Sequence, residues 1–307
     1  MKKIISLILA LTTLVCAMFT FASCGGKKDD GDKLSAAYDK FAKELEFDDS
    51  ACTETLTVAM SPDFAPMEFV DLAKSGDDQY VGFDVLLAKY IAKELNMKLV
   101  IDPMSFDACM AAVSTNQADL AISGFSWTAE RAETFLISDW YEAGENETEQ
   151  ILITTAEKKA QFTAGKTDFS GLKIGAQGGS LQELLVNEQL VTKGAKIELY
   201  KDINVAATAL ASGEIDALAV AYGNGEALAN DTIVLSDYYF EVEDKYKNNV
   251  ILLNKADGEL LEKVNAALAK AKAADLYTGW YEACQIYAEV KTADQLGYDD
   301  EGNKITE

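Results

Sequence analysis

The sequence holds 27 lysines and arginines, and a single one of them, Arg131, is an arginine. It closes the run Ile122-Ser123-Gly124-Phe125-Ser126-Trp127-Thr128-Ala129-Glu130-Arg131. Guanidinium is a planar, permanently charged fork that meets a carboxylate with two parallel hydrogen bonds, which a lysine ammonium cannot do. Two readings stand side by side: a carboxylate clamp, or a helix-start arginine paired at the surface with Glu130 or Glu133. The chain contains no histidine. That removes His-based metal sites, Ser-His-Asp and Cys-His nucleophiles and histidine general bases. Neither a metal nor a cofactor is expected.

The net charge of −24, with a pI near 4.3, argues against nucleic-acid binding, since no basic cluster offsets it. Lys2 and Lys3 precede an apolar run from Ile4 to Phe21, then Ala22-Ser23 and Cys24. Charged start, apolar middle and small-residue end make residues 1–23 a secretory signal peptide. The run is marginal for a membrane span and carries Ser6, Thr12, Thr13 and Thr20. Gly25 to Lys33 has no apolar content and reads as a tether, followed by a weak helix from Leu34 to Phe47 that sets it apart from the body. The remainder is long enough for two domains of ordinary size. Cys109 falls in an apolar helical pattern and reads as a buried thiol. Cys52 and Cys284 flank the body and could pair if the fold joins them.

From Thr55 short β runs alternate with amphipathic helices. Leu56–Met60 reads as a strand, Phe83–Leu95 as a helix, Lys98–Ile101 as a strand, Phe106–Thr115 as a helix and Asp119–Ser123 as a strand. A second set follows: strands at Gln150–Thr154, Leu172–Ala176, Ile197–Tyr200 and Ile215–Val220, with helices at Ser180–Leu190 and Asn204–Ala211. Asn248–Leu253 adds a strand, and Glu259–Ala274 and Tyr277–Val290 add helices. Alternation of this kind implies α/β layers with largely parallel sheets. Residues 291–307 read as a polar C-terminal tail.

An ordered set of blocks resembles one family. The blocks are Leu56 to Pro66, Val81-Gly82-Phe83-Asp84 with its helix, Ser105-Phe106-Asp107, Ala118-Asp119-Leu120, Ser123 to Arg131, Phe135 to Tyr141, Gly175 to Ser180 and Ser212 to Ala217. Together they resemble the extracytoplasmic polar-amino-acid-binding proteins of ABC importers, solute-binding protein family 3, over roughly Thr55 to Ala288. The resemblance implies an α/β fold: a two-lobed, periplasmic-binding-protein-like clamshell of type II. Each lobe is a central mixed β-sheet flanked by helices, and two hinge crossings join them. Residues 55–143 and 248–290 form lobe 1 and 144–247 lobe 2, with 24–54 as lipidated cysteine, tether and short helix. Cys24 is similar in position to the lipidated cysteine of bacterial lipoproteins.

Carried onto this chain, the resemblance makes Arg131 the clamp for a ligand carboxylate. Ser126 offers a hydroxyl and a backbone N–H, and Gly124 a carbonyl for the ligand ammonium. Phe64 and Phe106 are walls, although core aromatics would read the same way. Gly179 and Ser180, opening a helix in the other lobe, would add N–H donors where the helix dipole favours an anion. Ser126 and Thr128 also read as turn and helix-cap residues. Two departures stand out. The family's ammonium-holding aspartate falls on Ala221, and a second aspartate of the first ligand loop is replaced by Ser61. Tyr222, Asn224 or carbonyls are then the substitutes, or the ligand lacks an α-ammonium and carries an apolar or aromatic side chain.

The function implied is capture of an amino acid or related small carboxylate and its delivery to an ABC permease. The protein is expected to be a non-enzymatic monomer, held by a palmitate-type lipid at the outer face of a bacterial cell membrane. The alternatives are a cyclic-carboxylate dehydratase on the same fold, with Glu68, Glu142 or Glu226 as acid/base, or a ligand-binding sensor or adhesin.

Overall fold

The computed structural model describes residues 31–141 and 148–295. The signal peptide, Cys24, most of the tether, Glu142, the lobe boundary at 143/144 and the end of the tail lie outside these residues. Chain order begins with helix α1 (Gly31–Glu44), strands β1 (Thr55–Met60), β2 (Asp63–Phe64), β3 (Glu68–Val70) and β4 (Tyr80–Val81), and helix α2 (Phe83–Leu95). Then come β5 (Lys98–Pro103), α3 (Phe106–Ser114), β6 (Leu120–Ala121), α4 (Ala129–Thr134) and β7 (Leu136–Ile137). The second half holds β8 (Gln150–Thr155), β9 (Lys173–Gln177), α5 (Leu181–Gln189), β10 (Lys196–Tyr200), α6 (Ile203–Ala211), β11 (Ala217–Ala221), α7 (Tyr222–Leu228) and β12 (Ile233–Tyr239). Strand β13 (Leu252–Leu253) and helices α8 (Gly258–Ala273) and α9 (Leu276–Gln295) complete the order.

Two sheets organise these elements, in the orders β5-β1-β6-β13-β7 and β10-β9-β11-β8-β12. In the first, β1 runs parallel to β5 and β6, and β13 antiparallel to β6 and β7. In the second, β9 runs parallel to β10 and β11, and β8 antiparallel to β11 and β12. Both are mixed sheets, covered by helices because their central strands are apolar on both faces: all five residues of β11 are buried. Two chain segments connect the halves, and they run side by side where Tyr141 N–H donates to Asn249 O at 3.0 Å. A small sheet, β2-β3-β4, stands beside the first sheet.

The expected elements are present with ends moved by a few residues, the strand at Asn248–Leu253 shrinking most. There Asn249 makes isolated bridges to Ser126 and Tyr141 instead of a continuous ladder. Helix α1 is not a spacer. Tyr38 is buried and lies against Tyr287 of α9 with ring centroids 4.6 Å apart, and its hydroxyl accepts the Gly82 N–H at 3.2 Å. Its aromatic ring gives α1 an apolar anchor that average composition hides. Cys52, Cys109 and Cys284 are free thiols. The pairing of Cys52 with Cys284 is therefore corrected: Cys284 is buried in the core of α9, while Cys52 lies partly exposed in the loop before β1. Cys109 is buried, as its apolar pattern requires.

Candidate functional site

The carboxyl ends of β1, β6, β9 and β11 point toward one cleft between the sheets, the edge where open α/β folds present their loops. One side of the cavity is lined by Phe64, Phe106, Ser123, Gly124, Ser126 and Arg131. Facing them are Gln150, Gln177, Ser180, Leu181, Gln182 and Ala221, with Asn249 at the crossing. The space between the two sides is narrow, with little room beyond a water molecule. This is a closed cleft, and a ligand of several heavy atoms enters when the lobes part.

Thr128 caps α4, its hydroxyl accepting the Arg131 N–H at 3.1 Å, so the capping role expected of Thr128 is the one it has. One turn in, the Arg131 side chain folds back into the cleft. Its Nη1 donates to Ser126 O at 2.5 Å and its Nη2 to Gly179 O at 2.8 Å. The guanidinium carbon lies 5.6 Å from the Phe106 ring centroid and 5.1 Å from that of Phe125. Arg131 is 5% exposed, and burial pulls its guanidinium down to about 10, against the raising effect of Glu130. It stays charged at neutral pH. Among the described residues no carboxylate lies within ion-pair distance of it. The surface-pair reading with Glu130 or Glu133 is thereby set aside.

The loop before Arg131 is held from below by buried carboxyls. Asp84, in the first turn of α2, accepts the Gly124 N–H at 2.7 Å and the Tyr141 hydroxyl at 3.1 Å. Glu68 accepts from the Ser123 hydroxyl, which in turn accepts the Ser61 N–H at 3.0 Å. Burial pushes the Asp84 carboxyl well above the ordinary carboxylate range. Gly124 has φ +58, a left-handed turn that aims its neighbours into the cleft and brings Phe64 alongside.

Of the residues expected from sequence, Arg131, Ser126, Gly124, Phe64, Phe106 and Ser180 line the cavity. Phe106 also stacks on Phe125 at 4.5 Å, so it is both wall and core. Four of the expected residues have partners within the protein. The Gly179 N–H donates to Glu183 Oε2 at 2.6 Å, and its carbonyl accepts from Arg131 Nη2. The N–H of Ser180 donates to Gln177 O, and its hydroxyl accepts the Glu183 N–H while donating to Gln177 O, so this residue is a helix cap. Ser61 and Tyr222 lie outside the cavity lining. The Ser61 hydroxyl donates to Asp63 Oδ1 at 2.8 Å, and Tyr222 stacks on Tyr239 at 6.4 Å. Asn224 is buried with its Nδ2 donating to Ala65 O at 3.1 Å.

Sequence reasoning missed Gln150, Gln177, Gln182 and Asn249 as lining residues, and Asp63 behind them. Gln150 is the register partner of Ala221 across the β8–β11 ladder, and its Oε1 accepts from Gln182 Nε2 at 2.6 Å. An amide thus stands beside the position where a carboxylate was missing. No local pattern marks that pairing. Of the three acid/base candidates, Glu68 is buried behind Ser123 and does not line the cavity, Glu226 is exposed, and Glu142 lies outside the described residues.

The fold and the cleft define a two-lobed α/β ligand-binding clamshell with a buried cationic clamp. The chain belongs to the bacterial extracellular solute-binding proteins, family 3, whose profile matches residues 56–283. The arginine-binding extracellular protein ArtP of Bacillus subtilis (strain 168) is 27% identical over 279 residues, spanning 87% of this chain and 92% of that protein. The amino acid ABC transporter substrate-binding protein AbpA of Streptococcus pneumoniae, solved bound to L-arginine, is 31% identical with a TM-score of 0.66. That match covers 76% of this chain and 95% of AbpA. The ancestral amino acid-binding protein AncCDT-1, a precursor of cyclohexadienyl dehydratase, is 26% identical with a TM-score of 0.63, covering 80% and 99%.

Proposed function

We propose that this protein captures an amino acid or related small carboxylate in the inter-lobe cleft and delivers it to the permease of an ABC importer. The observation that carries this is Arg131: a buried guanidinium in the cleft, bonded among the described residues to carbonyls alone, from Ser126 on one side and Gly179 on the other. An uncompensated buried cation costs several kcal/mol, and a ligand carboxylate supplies the missing charge. Both lobes then profit from the same ligand, which is what makes closure ligand-dependent.

In this reading Arg131, Ser126, Gly124, Phe64, Phe106 and Ser180 form the site, joined by Gln150, Gln177 and Gln182. Lobe 1 takes residues 55–143 and 248–290 and lobe 2 residues 144–247, a division supported by which strands share a sheet. Cys24 carries the lipid that tethers a monomer beside its permease, supported by the leader pattern of residues 1–23. Isothermal titration of the twenty amino acids and their deaminated analogues tests the reading. Absence of binding across that set would overturn it. A dehydratase needs a carboxyl group facing the cavity, and capture is favoured over turnover because none lines it among the described residues.

A further inference from the structure

Asp63 holds a place that neither the arginine clamp nor the core accounts for. It stands on β2, 7% exposed, and its Oδ1 accepts from the Ser61 hydroxyl. Its Oδ2 reaches across to the other sheet, accepting from Gln177 Nε2 at 3.0 Å and from the N–H of Ile203, the first residue of α6, at 2.8 Å. Burial pushes its carboxyl up to about 6, with Asp202 raising it further and the Ile203, Ser61 and Gln177 donors opposing. At neutral pH it is an anion held between lobes.

Gln177 joins this anion to the cavity that it lines. Its Nε2 is engaged twice, with Asp63 Oδ2 and with Lys201 O at 3.4 Å. A primary amide carries two hydrogens on nitrogen and its acceptor capacity on oxygen. Oε1 is therefore the polar atom of this side chain left to face the cavity. A carboxylate bonded to the nitrogen end polarises the amide and strengthens that oxygen as an acceptor.

We propose that Asp63 and Gln177 form an acceptor relay for a cationic, N–H-bearing group of the ligand. Gln177 Oε1 contacts the group, and Asp63 supplies the balancing charge one hydrogen bond behind. The proposal rests on the carboxylate-capture reading and extends it: the ligand is anionic at Arg131 and cationic at Gln177. Charge balance supports it. A bare carboxylate would neutralise Arg131 and leave the buried Asp63 anion uncompensated, whereas a ligand with both charges compensates both. Because Asp63 and Gln177 come from opposite sides of the cleft, the relay assembles only on closure. The cation is either an α-ammonium or a side-chain group, and the two are separable.

The test titrates L-arginine, L-norleucine and 2-hydroxyhexanoate into the wild-type protein and into Asp63→Asn and Gln177→Leu. L-Norleucine against 2-hydroxyhexanoate reads the α-ammonium, and L-arginine against L-norleucine reads the side-chain cation. The expected result is a wild-type preference of about tenfold or more in at least one of these ratios, the size of a charged hydrogen bond. Both variants should shrink that ratio, whatever common weakening they cause across the three ligands through lobe closure. A circular dichroism spectrum and a cooperative melt like those of the wild type show that the variants fold. Equal weakening of all three ligands would make Asp63 a lobe-closing contact only, and would overturn the relay. So would wild-type ratios near one. If the wild type bound none of the three, the capture reading itself would fall, which is a different outcome.

Discussion

Arg131 Nη2 donates to the carbonyl of Gly179 at 2.8 Å, joining residues 48 positions apart across the cleft. Gly179 holds its carbonyl there with φ +79, a left-handed conformation that side chains rarely adopt, and an added Cβ would stand 3.0 Å from Met110 Cε on α3. The guanidinium has five N–H donors, of which two serve Ser126 and Gly179. The rest remain for an anion in the proposed reading, so the side chain that braces the two sides of the cleft also has donors to offer a ligand.

Arg131→Lys keeps the charge and loses the fork. Carboxylate binding should weaken by roughly 1.5–3 kcal/mol, read by titration calorimetry with the tightest-binding amino acid of the screen. Unchanged affinity would show that the carboxylate is held elsewhere.

Tyr38→Ala tests whether α1 belongs to the folded body. The ring is buried against Tyr287 and its hydroxyl holds the Gly82 N–H. Truncation should cost on the order of 3 kcal/mol of stability, seen as a lower denaturation midpoint. A midpoint matching the wild type would return α1 to the role of a spacer.

Gly82→Ala should be poorly tolerated. At φ +122, its new Cβ would meet Met67 O at 2.4 Å and Pro66 O at 2.9 Å, both backbone atoms that cannot step aside. A loss of roughly 2–3 kcal/mol is expected. The damage should reach binding too, because Gly82 starts the helix that aims Asp84 at Gly124.

The buried carboxyls set a direction for pH dependence. Burial raises Asp63 from 3.8 to about 6 and raises Asp84 as well, so the folded chain retains protons that the unfolded chain releases. Where the folded state binds more protons, stability falls with rising pH. The contribution is complete below the ordinary carboxylate value and is lost as pH rises through about 6 for Asp63. Thermal melts should therefore show Asp63→Asn with a flatter decline between pH 4 and pH 6 than the wild type. Parallel curves would mean that Asp63 titrates normally in the folded protein.

Much of the fold was legible before any coordinate. Helix α2 begins at Phe83 and ends at Leu95, as its apolar spacing implies; the structure adds that Asn96 ends it in the left-handed conformation at φ 53. That Arg131 is not a surface residue was legible only through the family resemblance, since its residue type and helix-start position suit a surface pair equally well. The β2-β3-β4 sheet was not, since two- and three-residue strands carry no period to read.

What the sequence alone determined is which faces are apolar, where helices start, and that Arg131 is the single guanidinium of the chain. Only the tertiary structure decided which polar groups around the clamp remain available. Gly179 and Ser180 offered N–H donors on paper, but Glu183 and Gln177 take them. Tyr222 was a candidate by proximity in sequence, yet it points to Tyr239, while Gln150, 71 positions before Ala221, stands opposite that residue in the sheet. Hydrophobic period encodes burial, which is local along the chain. Hydrogen-bond partners are settled by strand pairing and lobe closure, so a link such as Asp63 to Gln177, 114 positions apart, leaves no trace until the chain folds.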